Sequence, residues 1–302
     1  MTKIPFVGLH AHSVAGSIFD GFGYPNEHMD YAHQNGSDAL ALTDHGNMNG
    51  LSWQVLHVKK MEAEGKDFKP IYGCEAYFIP SVKEWREEYE RTMADKKAAR
   101  AAKKDQTSGA TVEDEGASKK ASKNILNRRR HLVLLAQNQK GLNNLFKLIS
   151  ESYKSENFYR YPRIDFDLLM KYNEGIIASS ACLGGVYAGC YWENFEEGEK
   201  AILAAMRAIT KRFLEVFGDR WYGRSEEHTS ELQWNNVPEQ HKLNSYIIKM
   251  HEEFGIPLIS TADSHYPNPE AWKDRELYKR LGWLGKGRPS WATDDGLPVD
   301  VD

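Results

Sequence analysis

Cysteine is scarce in this chain: three occur among 302 residues, at Cys74, Cys182 and Cys190. An odd and sparse set excludes the disulfide framework of a small secreted domain and points to a reducing compartment, the cytoplasm. Long apolar runs are missing as well. No stretch approaches the roughly 18 residues of a membrane span, and the opening MTKIPFVGLHAHS has no apolar core for a signal peptide. Nor is there an excess of positive charge. The 39 Lys and Arg face 43 Asp and Glu, and a net charge of −4 excludes a global basic field for nucleic acid. What remains is 41% hydrophobic, a composition and length that bury a core without staples.

Short runs rich in Val, Ile and Leu alternate with longer amphipathic segments. The apolar runs predict strands over 6–12, 39–43, 71–79, 131–136, 175–180, 220–223 (with a candidate continuation at 231–234) and 257–261. Helical patterns lie between them at about 26–35, 48–64, 141–153, 165–173, 195–217 and 237–254. Strands and helices alternating at this spacing predict parallel βαβ units. Seven strands favour an α/β fold of the closed-barrel kind, with an open doubly wound sheet as the alternative.

Two segments break the rhythm. Residues 82–105 read as a highly charged helix, and 106–124 are polar with almost no apolar content. Over 81–130 there are 14 Lys and Arg against 9 Asp and Glu, and composition of this kind buries too little apolar surface to order itself. The insertion, 81–128, is read as a solvated surface feature; a nucleic-acid-contacting arm is the other reading, without aromatic interleaving to support it. The second break is RSEEHTS at 224–230, which resembles the translation of a sequencing-library adapter. Deleting it turns WYG and ELQWN into one strand-like run, WYGELQWN. The expectation is an artefact of sequencing or assembly, the alternative a polar loop before a strand. His228 is not read as a ligand in either case.

Chemistry concentrates at the strand ends. His10 and His12 stand two apart at the end of the first run, so their side chains leave the same face. Asp263 and His265 repeat that spacing after the last run. Between them, Asp20 follows the first strand, His45 follows ALALT, Glu75 lies in IYGCEAYF, His131 opens HLVLLA and Cys182 follows IIASSA. Most of these positions fall at C-terminal strand ends, where barrel enzymes build their active sites. Imidazole, carboxylate and thiolate are the side chains that hold zinc, iron or manganese. One ion needs three or four ligands, so this many donors imply more than one, and closely spaced divalent ions suit phosphoester hydrolysis. Asp44 is read as orienting His45 from behind. Cys182 also reads as a small buried hydrophobe. His28, His33, His57, His241 and His251 lie in helical segments and are read as structural.

The motifs HAHS, LTDHGNMNG, GCEAYF, SACLGG and TADSHY resemble the PHP (polymerase and histidinol phosphatase) superfamily. HLVLLAQNQKGLNNLFKLIS, YPRIDFDLLMKYNEGIIASSACLGG and ELQWNNVPEQHKLN carry no ligands apart from His131 and Cys182, and narrow the likeness to the N-terminal PHP domain of bacterial-type DNA polymerase III alpha subunits. The resemblance covers about 4–282 and implies a distorted seven-stranded β/α barrel holding two or three divalent ions. By it, the metal ligands fall on His10, His12, Asp20, His45, Glu75, His131, Cys182, Asp263 and His265. Of these, His10, His12, Glu75, Asp263 and His265 are expected to carry catalysis. Cysteine at the seventh place departs from the superfamily's usual histidine and is similar to the polymerase branch.

The resemblance further implies a 3′→5′ proofreading exonuclease acting on the 3′ end of a DNA primer, with other replisome subunits as partners and no membrane. Residues 1–282 would form the PHP domain and 283–302 the start of a following polymerase region. The nucleotide-adding domains, and the magnesium they use, are absent from these residues. Two readings compete: a free-standing phosphatase similar to histidinol phosphatases, and a non-catalytic scaffold that docks polymerase partners.

Overall fold

The computed structural model describes residues 6–105, 128–226 and 238–283. Helix α1 (Pro25–Gln34) leads to β1 (Ala39–Leu42), α2 (Leu51–Ala63) and β2 (Lys69–Phe78). The charged helix α3 (Val82–Asp105) precedes β3 (Arg130–Ala136), α4 (Gln139–Ser152) and a short ribbon, β4 (Phe158–Tyr159) and β5 (Tyr161–Ile164). Helix α5 (Phe166–Tyr172), β6 (Ile176–Ser179), α6 (Val186–Glu193) and α7 (Glu199–Phe217) follow. The chain closes with β7 (Trp221–Glu226), α8 (Pro238–Phe254), β8 (Leu258–Thr261) and α9 (Trp272–Trp283).

The strands form one curled sheet in which β1–β2–β3–β6–β7–β8 are successive neighbours. The stretch expected as the first strand, 6–12, is extended but pairs only through isolated bridges, Gly8 to Leu40 on one side and Ala11 to Ser264 on the other. Its hydrogen bonds run to both ends of the sheet. Ala41 N donates to Gly8 O (2.8 Å), Thr43 N to Ala11 O (2.8 Å) and His12 N to Ser264 O (2.8 Å). This segment therefore joins the two edges, and seven members close into the expected distorted barrel rather than an open doubly wound sheet.

One strand runs the other way. β3 is antiparallel to both β2 and β6, whereas β1–β2, β6–β7 and β7–β8 are parallel. The expectation of uniformly parallel units fails at β3, which begins at the barrel end where β2 finished, with Arg130 opposite Phe78. The reversal has a chemical consequence: His131, at the start of β3, lies beside Tyr77 at the end of β2.

The core behind the site is aromatic. Phe213 on α7 stacks on Trp221 of β7 with ring centroids 4.1 Å apart, and Phe78 and Phe166 pack edge-on at 4.9 Å. The single helical pattern over 195–217 begins only at Glu199; Gly198, at φ 86°, breaks it from α6. The charged helix α3 is held at its base by buried Val82 and Trp85, with the Arg163 guanidinium 4.2 Å above the Trp85 ring. Helix α4 is seated by a close backbone approach, since a Cβ on Gly141 would lie 1.7 Å from Gly175 O. Residues 106–124 of the insertion, and the candidate strand at 231–234, lie outside the described residues. No helix among the described residues is long and apolar enough to cross a membrane.

Candidate metal centre

Seven of the nine expected ligands converge at one end of the barrel. Donor atoms lie within 4.8 Å of one another in three overlapping groups: His10–His12–Asp263, His12–His45–His265 and His45–Glu75–His131. The other two adjoin them. Asp20 Oδ2 is 2.8 Å from His45 Nε2 and 3.3 Å from His265 Nε2, and Cys182 Sγ is 3.6 Å from His131 Nδ1. Glu75 is the hub: Oε1 lies 3.4 Å from His10 and 3.1 Å from His131, and Oε2 lies 3.4 Å from His12 and 2.8 Å from His45.

Each element contributes for a local reason. Alternation along the extended first segment sends His10 and His12 inward together. Bridges from Ala11 to Ser264 and from His45 to Glu75 set the loops after β8 and β1 at the same level. Cys182 is delivered by a tight turn in which Ala181 takes a left-handed conformation (φ 58°). Gly184 N donates to Cys182 Sγ at 3.3 Å. Such a φ is strained for alanine, and strain of this kind accumulates where surrounding structure holds a functional side chain in place.

Sequence reasoning misassigned one residue and missed others. Asp44 does not orient His45. It accepts from Ser13 N (2.7 Å), Ser13 Oγ (2.8 Å) and Ser17 Oγ (2.8 Å), which fastens the loop after the first segment. Having given its proton to Asp44, Ser17 Oγ is free to accept from His12 Nδ1 at 3.1 Å. His12 thereby carries its proton away from the cluster and turns the Nε2 lone pair inward. His265 is set the same way, through Nδ1 to Asp263 O at 2.8 Å. Arg275 on α9, fully buried, donates to Asp20 O and Asp20 Oδ1, each at 2.9 Å, so that Oδ2 is left to face His45 and His265. A serine or an arginine has no ligand character of its own, and only the fold shows what it holds.

The electrostatics are those of a cation trap. Burial opposes charge on Glu75, yet the His131, His10 and His45 imidazoles hold its carboxyl well below the usual range. Burial is likewise overcome at Asp263 by His10, His265 and His12, and at Asp20 by hydrogen bonds from His265 and His45. Burial drives His12 down to about 3, assisted by the charge of His45. His45 and His265 are buried but raised, by Glu75 and Asp20 in the first case and by Asp263 and Asp20 in the second. Three ionised carboxylates share one pocket, balanced by protons on neighbouring rings and, at Asp20, by the Arg275 guanidinium. Divalent cations would replace those protons.

The donors fit such ions. Two ligands of one tetrahedral zinc, each about 2.0–2.1 Å from it, stand about 3.3 Å apart. Here His10 Nε2 and His12 Nε2 are 3.0 Å apart, and each lies 3.1–3.4 Å from Asp263 Oδ1. His45 Nδ1 and Glu75 Oε2 are buried 2.8 Å from each other without hydrogen-bond geometry to any group. Two such atoms, an ion pair as they stand, are also placed to share a cation. The floor is closed and the rim open. The side chains of His10, His12 and Glu75 are 0–1% exposed, against 20% for His131 and 36% for Asp20.

Three histidines outside the nine have partners of their own. His28 Nε2 donates to Phe22 O (3.0 Å), His57 pairs with Asp30 (2.8 Å) and His251 Nδ1 donates to Ile256 O (2.7 Å).

Comparison with known proteins places this arrangement. A family model for the PHP domain matches residues 8–222. The DNA polymerase III subunit alpha of Aquifex aeolicus is 36% identical over 265 residues, and that of Borreliella burgdorferi 34% over 278. These matches take in 88% and 92% of this chain but 18% and 19% of the relatives, so the chain spans under a fifth of their length. Among solved structures, an amidohydrolase from Chromobacterium violaceum is 16% identical, with a TM-score of 0.40 over 90% of this chain and 96% of its own. Histidinol phosphate phosphatase from Lactococcus lactis, complexed with zinc, L-histidinol and phosphate, is 14% identical, with a TM-score of 0.35 over 93% and 92%. The family match runs from the first segment, just ahead of its two histidines, into β7, and on that extent the chain belongs to the PHP domain family.

Proposed function

We propose that this chain is the PHP domain of a replicative DNA polymerase III alpha subunit, acting as a metal-dependent phosphodiesterase that removes nucleotides from DNA 3′ ends. In this reading residues 1–282 form the PHP unit, with 81–128 inserted into it, and 283–302 lead into a polymerase region. One observation carries the proposal: seven metal-type donors on seven separate positions converge around Glu75 within one pocket that is closed below and open above.

His10, His12, Asp20, His45, Glu75, His131, Cys182, Asp263 and His265 would hold two or three divalent ions, of zinc, manganese or iron. Bound there, such ions supply an acidified water and positive charge against the phosphate. The chain's own residues do the rest. Ser17 and the Asp263 carbonyl keep the protons of His12 and His265 on Nδ1, leaving Nε2 for coordination. Arg275 holds Asp20 to a single inward oxygen. Glu75 and Asp263 remain ionised, and with His10, His12 and His265 they line the floor on which the scissile phosphate would rest. At the rim, the Arg129 guanidinium stacks 3.8 Å over Tyr161 and 5.2 Å from Tyr77, whose ring neighbours His45 and His131. A cation there supports the phosphates of a nucleic-acid strand.

The test is release of nucleotides from 3′-labelled single-stranded DNA with manganese or zinc supplied, beside a small phosphomonoester. Metal-dependent release that Asp263→Asn abolishes supports the nuclease. Hydrolysis of the monoester with the DNA untouched would overturn it in favour of a small-molecule phosphatase. No turnover by folded, metal-loaded protein would favour a scaffold.

A further inference from the structure

His10 is the one described ligand whose outer nitrogen faces a donor-only group. Its Nε2 turns into the cluster, 3.0 Å from His12 Nε2 and 3.4 Å from Glu75 Oε1 and Asp263 Oδ1. Its Nδ1 turns outward onto the guanidinium of Arg224, which is 1% exposed on β7. A neutral imidazole that gives one lone pair to a metal carries its proton on the other nitrogen and needs an acceptor there. Guanidinium has five N–H donors and no lone pair. The contact is satisfied only if Nδ1 accepts, which puts the proton on Nε2 and removes His10 from coordination. His12 and His265, in the same pocket, have such acceptors, Ser17 Oγ and Asp263 O.

A second observation is independent of that geometry. Residues 224–230 read RSEEHTS and interrupt a strand-like sequence, and Arg224 is the first of them. Removing the seven joins Gly223 to Glu231, a residue outside those described. Pairing in β7 is set residue by residue, with Gly223 opposite Leu258 and position 224 opposite Ile259. In a chain lacking the seven, Glu231 would follow Gly223 directly in sequence and so inherit the place now held by Arg224, opposite Ile259. A carboxylate that reached His10 Nδ1–H from there would accept its proton, fix the tautomer with Nε2 free and strengthen the ring as a ligand.

We propose that position 224 of β7 is built for a carboxylate that positions His10, that Glu231 is its proper occupant, and that 224–230 are foreign to the functional protein. The inference rests on the reading of the cluster as a metal centre. Glu231 is a positioning residue in it, acting on the metal through His10.

The test is zinc affinity, measured by competition with a chromophoric chelator on folded, EDTA-treated protein. Five proteins are compared: the full chain, the full chain with Arg224→Glu, the chain lacking 224–230, and that shortened chain with Glu231→Leu or Glu231→Gln. Arg224→Glu and the shortened chain are expected to bind zinc at least tenfold more tightly than the full chain. Glu231→Leu loses 10–100-fold, and Glu231→Gln, which keeps an acceptor oxygen, recovers most of the loss. If the leucine variant fails to fold, the Arg224→Glu comparison decides alone. Equal affinity for the full chain and Arg224→Glu overturns the proposal, as does finding codons 224–230 when the locus is resequenced from source DNA. The expected order of affinities without nucleotide release would leave this inference standing and sink the nuclease. Absence of zinc binding in all five would overturn this inference, and absence of manganese binding as well would sink the nuclease with it.

Discussion

His28 shows how a residue can sit near a metal site without belonging to it. It is buried on α1, gives its Nε2 proton to Phe22 O, and burial holds it down to about 4. A histidine depressed in the folded state keeps full stability above its unfolded pKa, near 6.5, and loses it as pH falls toward 4. The contribution reaches about 3 kcal/mol across that window. In metal-free protein, His28→Gln, which can still donate to Phe22 O but does not titrate, is expected to flatten the decline in unfolding free energy between pH 6.5 and 4. Chemical denaturation at a series of pH values measures it, and parallel declines in the two proteins would show that His28 is solvated. At this scale the site was largely legible from the chain. The spacing of His10 with His12 and of Asp263 with His265 is visible in the string, because alternation along an extended segment needs no tertiary information. The supporting residues were not legible. Nothing in the sequence ties Ser17 to His12 or Arg275 to Asp20, since those contacts depend on loops folding back across the barrel end.

Elements explain why the site assembles at all. Helix α9 reaches it through Arg275, whose guanidinium holds both the backbone and the carboxylate of Asp20. Arg275→Met is expected to free Asp20 and weaken metal affinity about tenfold or more, with Arg275→Lys intermediate because it keeps the charge but not the fork. Chelator competition measures this, and an unchanged affinity in Arg275→Met would make α9 a bystander. Helix α7 supports the opposite side. Phe213 lies flat on Trp221, both fully buried, so Phe213→Ala should cost about 3–5 kcal/mol in denaturant unfolding, with metal affinity reduced only through β7. Most of these elements follow from hydrophobic rhythm. The direction of β3 does not, because HLVLLA reads identically for a parallel or an antiparallel neighbour. The first segment was expected as a full strand, and its single-residue bridges to both sheet edges are a property of barrel closure that no local pattern encodes.

The whole molecule is a barrel whose closure brings its first and last segments together, so that His10 and His12 meet Asp263 and His265 across more than 250 residues of sequence. A metal bound by both segments would tie the ring shut, and the melting temperature should rise with added metal and go on rising with the logarithm of its free concentration beyond saturation. With Glu75 at its hub, this junction is proposed to be a multinuclear metal centre. Its most direct test is the number of zinc or manganese ions retained per chain after equilibrium dialysis, measured on the protein and on Glu75→Gln. Two or three ions per chain are expected, falling by at least one when the Glu75 charge is removed. No retained metal, or a full complement undisturbed by Glu75→Gln, would contradict it.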